Sequence, residues 1–178
     1  MAEDSTNLII VESPSKARTL KRFLGDDYKI EASVGHIRDL PKNDLGVDVD
    51  NGFKPTYVAS ENKSKVISKL KSLIKKAGTL YLATDPDREG EAIAWHLMEL
   101  LKPTIPVKRL AFHEITKSAI QESFDHTRDI DASLVSAQEA RRILDRLWGY
   151  KVSAKLWQNV KGGLSAGRVQ SPAVKIVV

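Results

Sequence analysis

The 178 residues include no cysteine, which excludes a disulfide framework and any zinc or redox site built on thiolates. Aromatic side chains are scarce at 6%, and no apolar run approaches the ~20 residues that a membrane-spanning helix needs. Residues 1–7 carry neither the basic stretch nor the apolar core of a secretory leader. There is no internal repeat and no low-complexity tract. A cytoplasmic protein that does not enter a membrane is the expectation. The chain does have 42% hydrophobic residues, enough for a real core, and an ordinary 29% of charged ones.

The net charge of +5 is unevenly placed. Residues 1–127 hold 19 basic and 19 acidic side chains, whereas residues 128–178 hold 9 basic and 4 acidic. The whole excess lies in the last 51 residues, as expected of a polyanion-facing segment joined to a neutral first domain. A solvated basic surface accounts for the charge alone equally well.

Residues 7–12 (NLIIVE) form a short β-rich apolar run, followed by Ser13 as a helix N-cap and Pro14 at the first helical position. Ala17, Leu20, Phe23 and Leu24 recur at helical spacing, and Gly25 supplies a stop. Further strands are predicted at 28–34, 53–59, 79–85 and 107–112, and helices at 66–74 and 89–101, with a short one capped by Thr116. Residues 41–56, rich in Pro, Asn, Asp and Gly, read as a long surface loop. Alternating strands and helices predict an α/β domain over residues 1–127, with a mostly parallel sheet flanked by helices. From residue 128 the strand pattern disappears. A helix is expected at 131–148 with Gly149 at its end, a second at 150–160, and a third helix or a strand at 169–178. The chain stops inside an apolar run at 174–178, the pattern of a piece of something longer.

The sequence Asp85-Pro86-Asp87-Arg88-Glu89-Gly90-Glu91 falls where a buried strand gives way to a helix. Ligands of parallel α/β sheets bind beyond the carboxyl ends of strands. Asp85, Asp87 and Glu89 alternate along this rim, and their charges repel unless a cation shares them. Mg²⁺ suits such a set, because it takes one or two carboxylates together with waters and phosphate oxygens. The competing account is that Asp87, Glu89 and Glu91 favour the positive end of the following helix; it leaves Asp85 and Pro86 unexplained. Glu12 ends the first strand as Asp85 ends a later one, so neighbouring parallel strands would bring the two together. Like charge nearby favours the protonated form of a carboxyl group, which makes Glu12 a candidate general acid or a further metal ligand. Lys16, in the first turn of the helix that opens at Ser13, is placed to hold a phosphate with the backbone amides; a solvated lysine is the plainer reading.

Five segments carry a resemblance: residues 8–16 (LIIVESPSK), 33–41 (SVGHIRDLP), 84–96 (TDPDREGEAIAWH), 112–117 (FHEITK) and 163–171 (GLSAGRVQS). In this order, over nearly the whole chain, they resemble the toprim domain and following segment of the bacterial type IA DNA topoisomerases, with the His-Ile-Arg-Asp-Leu-Pro form closest to topoisomerase I. Reverse gyrase carries similar motifs, and primases and nucleases with a toprim domain share the acidic residues without needing HIRDLP or GLSAGRVQS. The resemblance implies a Rossmann-like toprim domain at 1–127 and, at 128–178, the helical start of a single-stranded DNA-binding domain. It implies an isomerase that cuts and rejoins one DNA strand through a 5′-phosphotyrosine and relaxes negative supercoils without ATP. Glu12, Lys16 and His36 would be catalytic, and Glu12, Asp85, Asp87 and Glu89 would hold Mg²⁺. A monomer acting on single-stranded DNA in the cytoplasm, at the nucleoid, is expected.

Arg141, Arg142, Asp145 and Arg146 lie on neighbouring faces of one predicted helix, away from Ile143, Leu144 and Leu147. They read either as a salt-bridged solvated face or as guanidinium groups tracking phosphates, with Asp145 at a base edge. Tyr150 offers a stacking face. The resemblance adds His36 and Lys151 to the DNA contacts, together with Ser165, Ala166, Gly167, Arg168, Val169 and Gln170. Gly162 and Gly167 have the spacing of a phosphate-binding loop, but Arg168-Val169 stands where such a loop has Lys-Ser/Thr, so ATP hydrolysis is not expected. The tyrosines are Tyr28, Tyr57, Tyr81 and Tyr150, and none has the surroundings of the family's nucleophile. The 178 residues alone are therefore expected to be inactive in relaxation.

Overall fold

Strand β1 (Asn7–Val11) is buried from Leu8 to Val11, as a strand covered on both faces must be. Side chains alternate across a strand, so Leu8 and Ile10 enter one core while Ile9 and Val11 enter another. The structure, a computed structural model, describes residues 6–178. Part of the stretch read above for a leader, residues 1–5, lies outside the described residues.

Ser13 opens α1 (Pro14–Leu24): its hydroxyl accepts the Lys16 amide at 3.2 Å, Pro14 occupies the first turn, and the helix stops at Gly25, whose φ of 64° suits glycine. The chain then returns as β2 (Tyr28–Ala32), parallel to β1 in the register Asn7↔Tyr28 to Val11↔Ala32. Four two-residue strands follow, β3 (Arg38–Asp39), β4 (Val47–Asp48), β5 (Lys54–Pro55) and β6 (Val58–Ala59), and a 3₁₀ turn at Glu61–Lys63 leads into α2 (Ser64–Ile74). Next come β7 (Leu80–Leu82), α3 (Arg88–Leu101), β8 (Val107–Arg109) and α4 (Lys117–Asp125), the last capped by the Thr116 hydroxyl. The chain ends in α5 (Ala132–Asn159) and α6 (Gln170–Val177).

The main sheet runs β2-β1-β7-β8, with every pair parallel. Leu70 and Ile74 of α2 and Ile93 and Leu97 of α3 pack on the face of Leu8 and Ile10. Leu20 of α1 and Ile120 of α4 pack on the face of Ile9 and Val11. The result is helix, sheet, helix in three layers. From β1 the chain moves to β2 on one side, and from β7 to β8 on the other. The sheet therefore changes direction between β1 and β7, and a crevice opens there beyond their carboxyl ends.

Several elements differ from expectation. The strand expected at 79–85 stops at Leu82 and the one at 107–112 stops at Arg109, the two ending together at the pair Leu82↔Arg109. Residues 41–56 are not wholly loop: β4 and β5 pair as an antiparallel ribbon. The strand expected at 53–59 is broken into β5 and β6, which pair with different partners. The two helices expected on either side of Gly149 are one continuous helix of 28 residues. A glycine costs about 1 kcal/mol relative to alanine in a helix, but it keeps both backbone hydrogen-bonding groups and does not oblige a stop. Of the two alternatives for 169–178, the helix is the one formed, at Gln170–Val177.

Among the described residues two compact units result, one reaching Asp39 and taking in Val58–Ser136, and one of Leu40–Tyr57 with Ala137–Val178.

Candidate functional site

In the first unit the rim of the sheet is built from the residues that follow β1 and β7. Glu12 comes directly after β1, and Asp85 three residues after β7. β1 and β7 are parallel neighbours, with Ile10 opposite Leu82, so their ends do meet as expected. Between the two carboxylates stands Lys16, which is only 6% exposed: its Nζ is 2.9 Å from Glu12 Oε1 and 2.8 Å from Asp85 Oδ1. It also lies over the Phe112 ring, 5.0 Å from the centroid. The repulsion between Glu12 and Asp85 is thus relieved from within the chain. Burial by itself raises the Asp85 pKa, but the hydrogen bond and charge of Lys16 outweigh it and the net direction is downward.

The other rim carboxylates have partners of their own. Asp87 Oδ1 accepts the Gly90 amide at 2.8 Å and caps α3, the helix-start role weighed against metal binding above. Glu89 Oε2 is 3.3 Å from His36 Nε2. His36 in turn meets His96 edge to face at 5.8 Å. His96 is buried, and its pKa is lowered to about 3, first by burial and then by the neighbouring charges of His36 and Arg38. The structure therefore links Glu12, Lys16 and Asp85 in one group and His36 and Glu89 in another. Among the described residues no three His, Asp or Glu side chains are gathered at metal-ligand spacing.

In the second unit α5 carries the basic row. Arg146 donates to backbone carbonyls, Nη1 to Pro41 at 2.9 Å and to Asp44 at 3.3 Å, and Nη2 to Leu40 at 3.3 Å. The Tyr150 hydroxyl shares its one proton between Lys42 O at 2.9 Å and Asp44 O at 3.1 Å. These two side chains hold the start of the 40–57 segment. Asp145 receives Arg168 Nε at 2.7 Å and has Arg141 Nε at 3.8 Å. The glycine-rich segment is fastened to the same helix, since the Ala166 amide donates to Ser153 Oγ at 3.0 Å and Trp157 Nε1 donates to Leu164 O. An open groove of about 590 Å³ lies here, lined by Arg142, Asp145, Arg146, Tyr150, Trp157, Ser165 and Ala166 among others. Lys151, Val169 and Gln170 are exposed, and Gly167 is half-buried beside the Gln170 side chain.

A family model described as Toprim domain matches residues 7–115. The chain belongs to the Toprim family. A second model, described as DNA topoisomerase, matches residues 129–178. Among curated proteins the chain is similar to DNA topoisomerase 1 of Streptomyces coelicolor, 55% identical over 99% of the chain and 20% of that protein. It is likewise similar to DNA topoisomerase 1 of Mycobacterium tuberculosis, 56% identical over 96% of the chain and 20% of that protein. The Synechococcus elongatus DNA topoisomerase 1 is 52% identical over 96% of the chain and 21% of its own length. The chain thus spans about a fifth of the length of these relatives. Among solved structures it is similar to full-length topoisomerase I from Thermotoga maritima, with a TM-score of 0.86 and 50% identity over 96% of this chain and 29% of that one.

Sequence reasoning missed the buried ionic centre behind the Toprim rim. Glu91 is fully buried: Oε1 accepts Arg109 Nε at 3.0 Å, Arg109 Nη2 at 2.7 Å and Arg128 Nη2 at 2.7 Å. Its Oε2 accepts the Asp131 amide at 3.0 Å. Arg109, 1% exposed, donates through Nη1 to Leu82 O at 3.0 Å and to Leu110 O, and through Nη2 to Asp85 O at 2.8 Å. Burial lowers the Arg109 pKa from its ordinary value, with Glu91 opposing that direction. One signal was available: Arg109 has the same strand parity as Val107, a core-facing one, so a charge there announces a buried partner.

In donor type, though not in their present spacing, the rim residues suit a hard divalent cation. The donors are all carboxylate oxygens, Glu12 Oε2 is buried and accepts no hydrogen bond, and the Asp85 side chain remains 57% exposed on the solvent side of Lys16.

Proposed function

We propose that this chain supplies the metal-binding rim and the start of the single-stranded DNA groove of a type IA DNA topoisomerase. Residues 1–127 form its Toprim part and 128–178 the first helices of its DNA-binding part. The observation that carries this reading is the junction of Glu12, Lys16 and Asp85 at the point where the sheet changes direction. Asp85, Asp87 and Glu89, with Glu12, would hold Mg²⁺, which when bound offsets negative charge on phosphate oxygens.

The chain's own groups divide the remaining work. Lys16 presents the one ammonium group between the two rim carboxylates, and an arriving phosphate oxygen competes with them for it. Glu12, freed from Lys16, holds or gives a proton at the leaving 3′ oxygen. His36, steadied by Glu89, faces the DNA beside the rim. Arg141, Arg142, Arg146, Tyr150 and Lys151 line the path of the strand on α5, and Ser165, Ala166, Gly167, Arg168, Val169 and Gln170 contribute from the segment fastened to it. The attacking tyrosine belongs to the longer protein, as does ATP-independent relaxation by a monomer at the nucleoid.

Supercoiled plasmid and Mg²⁺ test the reading. The 178-residue chain leaves the linking number unchanged, while a longer protein carrying it relaxes the plasmid and forms a tyrosine-linked 5′ adduct. Asp85→Asn with Asp87→Asn removes relaxation in that protein. Full relaxation by the double variant contradicts the assignment.

A further inference from the structure

We propose that Glu91 and Arg109 are a positioning pair that fixes the main chain of Asp85, and with it the Asp85 carboxylate opposite Glu12. The proposal deepens the reading of the rim as a metal site and rests on that reading only for its metal arm.

Asp85 lies three residues beyond the end of β7, where the strand ladder no longer holds the backbone. Two features replace that ladder. On one side Gly90 presses against Asp85 so closely that a Cβ there would come within 2.0 Å of the Asp85 carbonyl oxygen. On the other, the same carbonyl accepts Arg109 Nη2 at 2.8 Å. Arg109 can aim at this oxygen because its Nε and Nη2 are gripped by Glu91 and its Nη1 by the Leu82 and Leu110 carbonyls. Glu91 is immobilised in turn by Arg128 and by the Asp131 amide, the residue whose carboxylate caps the first turn of α5. Glu91, Arg109, Arg128 and Asp131 are each buried or half-buried.

A planar fork is required here. Lysine keeps the charge but is a single point donor and cannot reach a carboxylate and three carbonyls together. Metal sites lose about 10–100-fold in affinity when the groups orienting their ligands are removed, so loosening Asp85 should be read out in that range.

Mn²⁺ alone is the probe, its affinity for the 178-residue chain measured by electron paramagnetic resonance at a temperature where each variant is folded. Arg109→Lys and Glu91→Gln are expected to weaken binding about tenfold or more and to shift the carbonyl ¹³C resonance of Asp85. Leu70→Ala, which destabilises the core away from the rim, is expected to leave both unchanged, a separation that a purely structural role does not produce. Folded Arg109→Lys and Glu91→Gln with wild-type Mn²⁺ affinity and an unmoved Asp85 carbonyl overturn the proposal. Absence of Mn²⁺ binding in the wild type defeats the metal reading instead, and the Asp85 resonance then decides positioning alone. If neither variant folds, the wild-type Arg109 guanidinium protons decide: slow rotation and protection from exchange support the pair, and free rotation overturns it.

Discussion

In the sheet-based unit, buried side chains hold the candidate chemistry in place; in the second unit, half-buried and exposed ones hold it. Around the rim, Leu8, Ile9, Ile10, Val11, Leu80 and Leu82 are all at most 1% exposed, and the charges behind Asp85 are buried with them. In the second unit the buried side chains are Leu40, Val47 and Gln138, while Trp157, Val169, Val174, Ile176 and Val177 are each more than half exposed. Its Arg141, Arg146 and Arg168 are ordered by carbonyl and carboxylate contacts. A carboxylate set needs tight placement to act on a metal, whereas arginines that follow phosphates tolerate side-chain freedom. The difference in packing matches the difference between the two proposed tasks.

The largest effect that would break this comparison is in the core. Leu82→Ala, at 0% exposure, is expected to cost about 2–5 kcal/mol in denaturant unfolding. Ile176→Ala, at 85% exposure, is expected to change it by less than ~0.5 kcal/mol. Equal losses at the two positions would erase the distinction.

A pH effect comes next. The unfolded chain protonates its histidine near 6.5, whereas His96 in the native state resists until about 3. The unfolded state therefore binds more protons in this window. The His96 contribution is full above about 6.5 and is lost at ~1.4 kcal/mol per pH unit as the pH falls toward 3. Urea midpoints from pH 7.5 to 4.5 should fall more steeply for the wild type than for His96→Phe, and parallel curves would show that His96 is not the source.

The smallest expected effect lies on α5. Replacing Arg141 and Arg142 together by Ala should reduce the salt slope of single-stranded DNA binding by about 0.7 for each lost phosphate contact, measured by fluorescence anisotropy of an oligonucleotide. An unchanged slope would leave these arginines with the salt-bridged role that their helix spacing also allows.

Much of the fold was legible because hydrophobic period and capping agree. Ser13, Pro14 and Gly25 bracket α1, and Thr116 opens α4, as the local rules require. Strand ends were less legible, because β7 and β8 stop together at Leu82↔Arg109 and not where their own apolar runs do. Gly149 misled because a glycine that ends one helix sits mid-helix in another. At the rim, the convergence of Glu12 and Asp85 could be read from two acidic residues at two strand ends. The insertion of Lys16 between them could not, since helix spacing gives its turn but not its partner. The pairing of Glu91 with Arg109 was hidden for a related reason: strand parity announces that Arg109 has a buried partner, but 18 residues separate it from Glu91, and only the fold brings them together.

Isothermal titration of Mg²⁺ into the wild-type chain and into Asp85→Asn with Asp87→Asn tests the central claim most directly. The account predicts a binding heat in the wild type that disappears in the folded double variant. Mg²⁺ affinity that is the same in both, or absent from both, would contradict it.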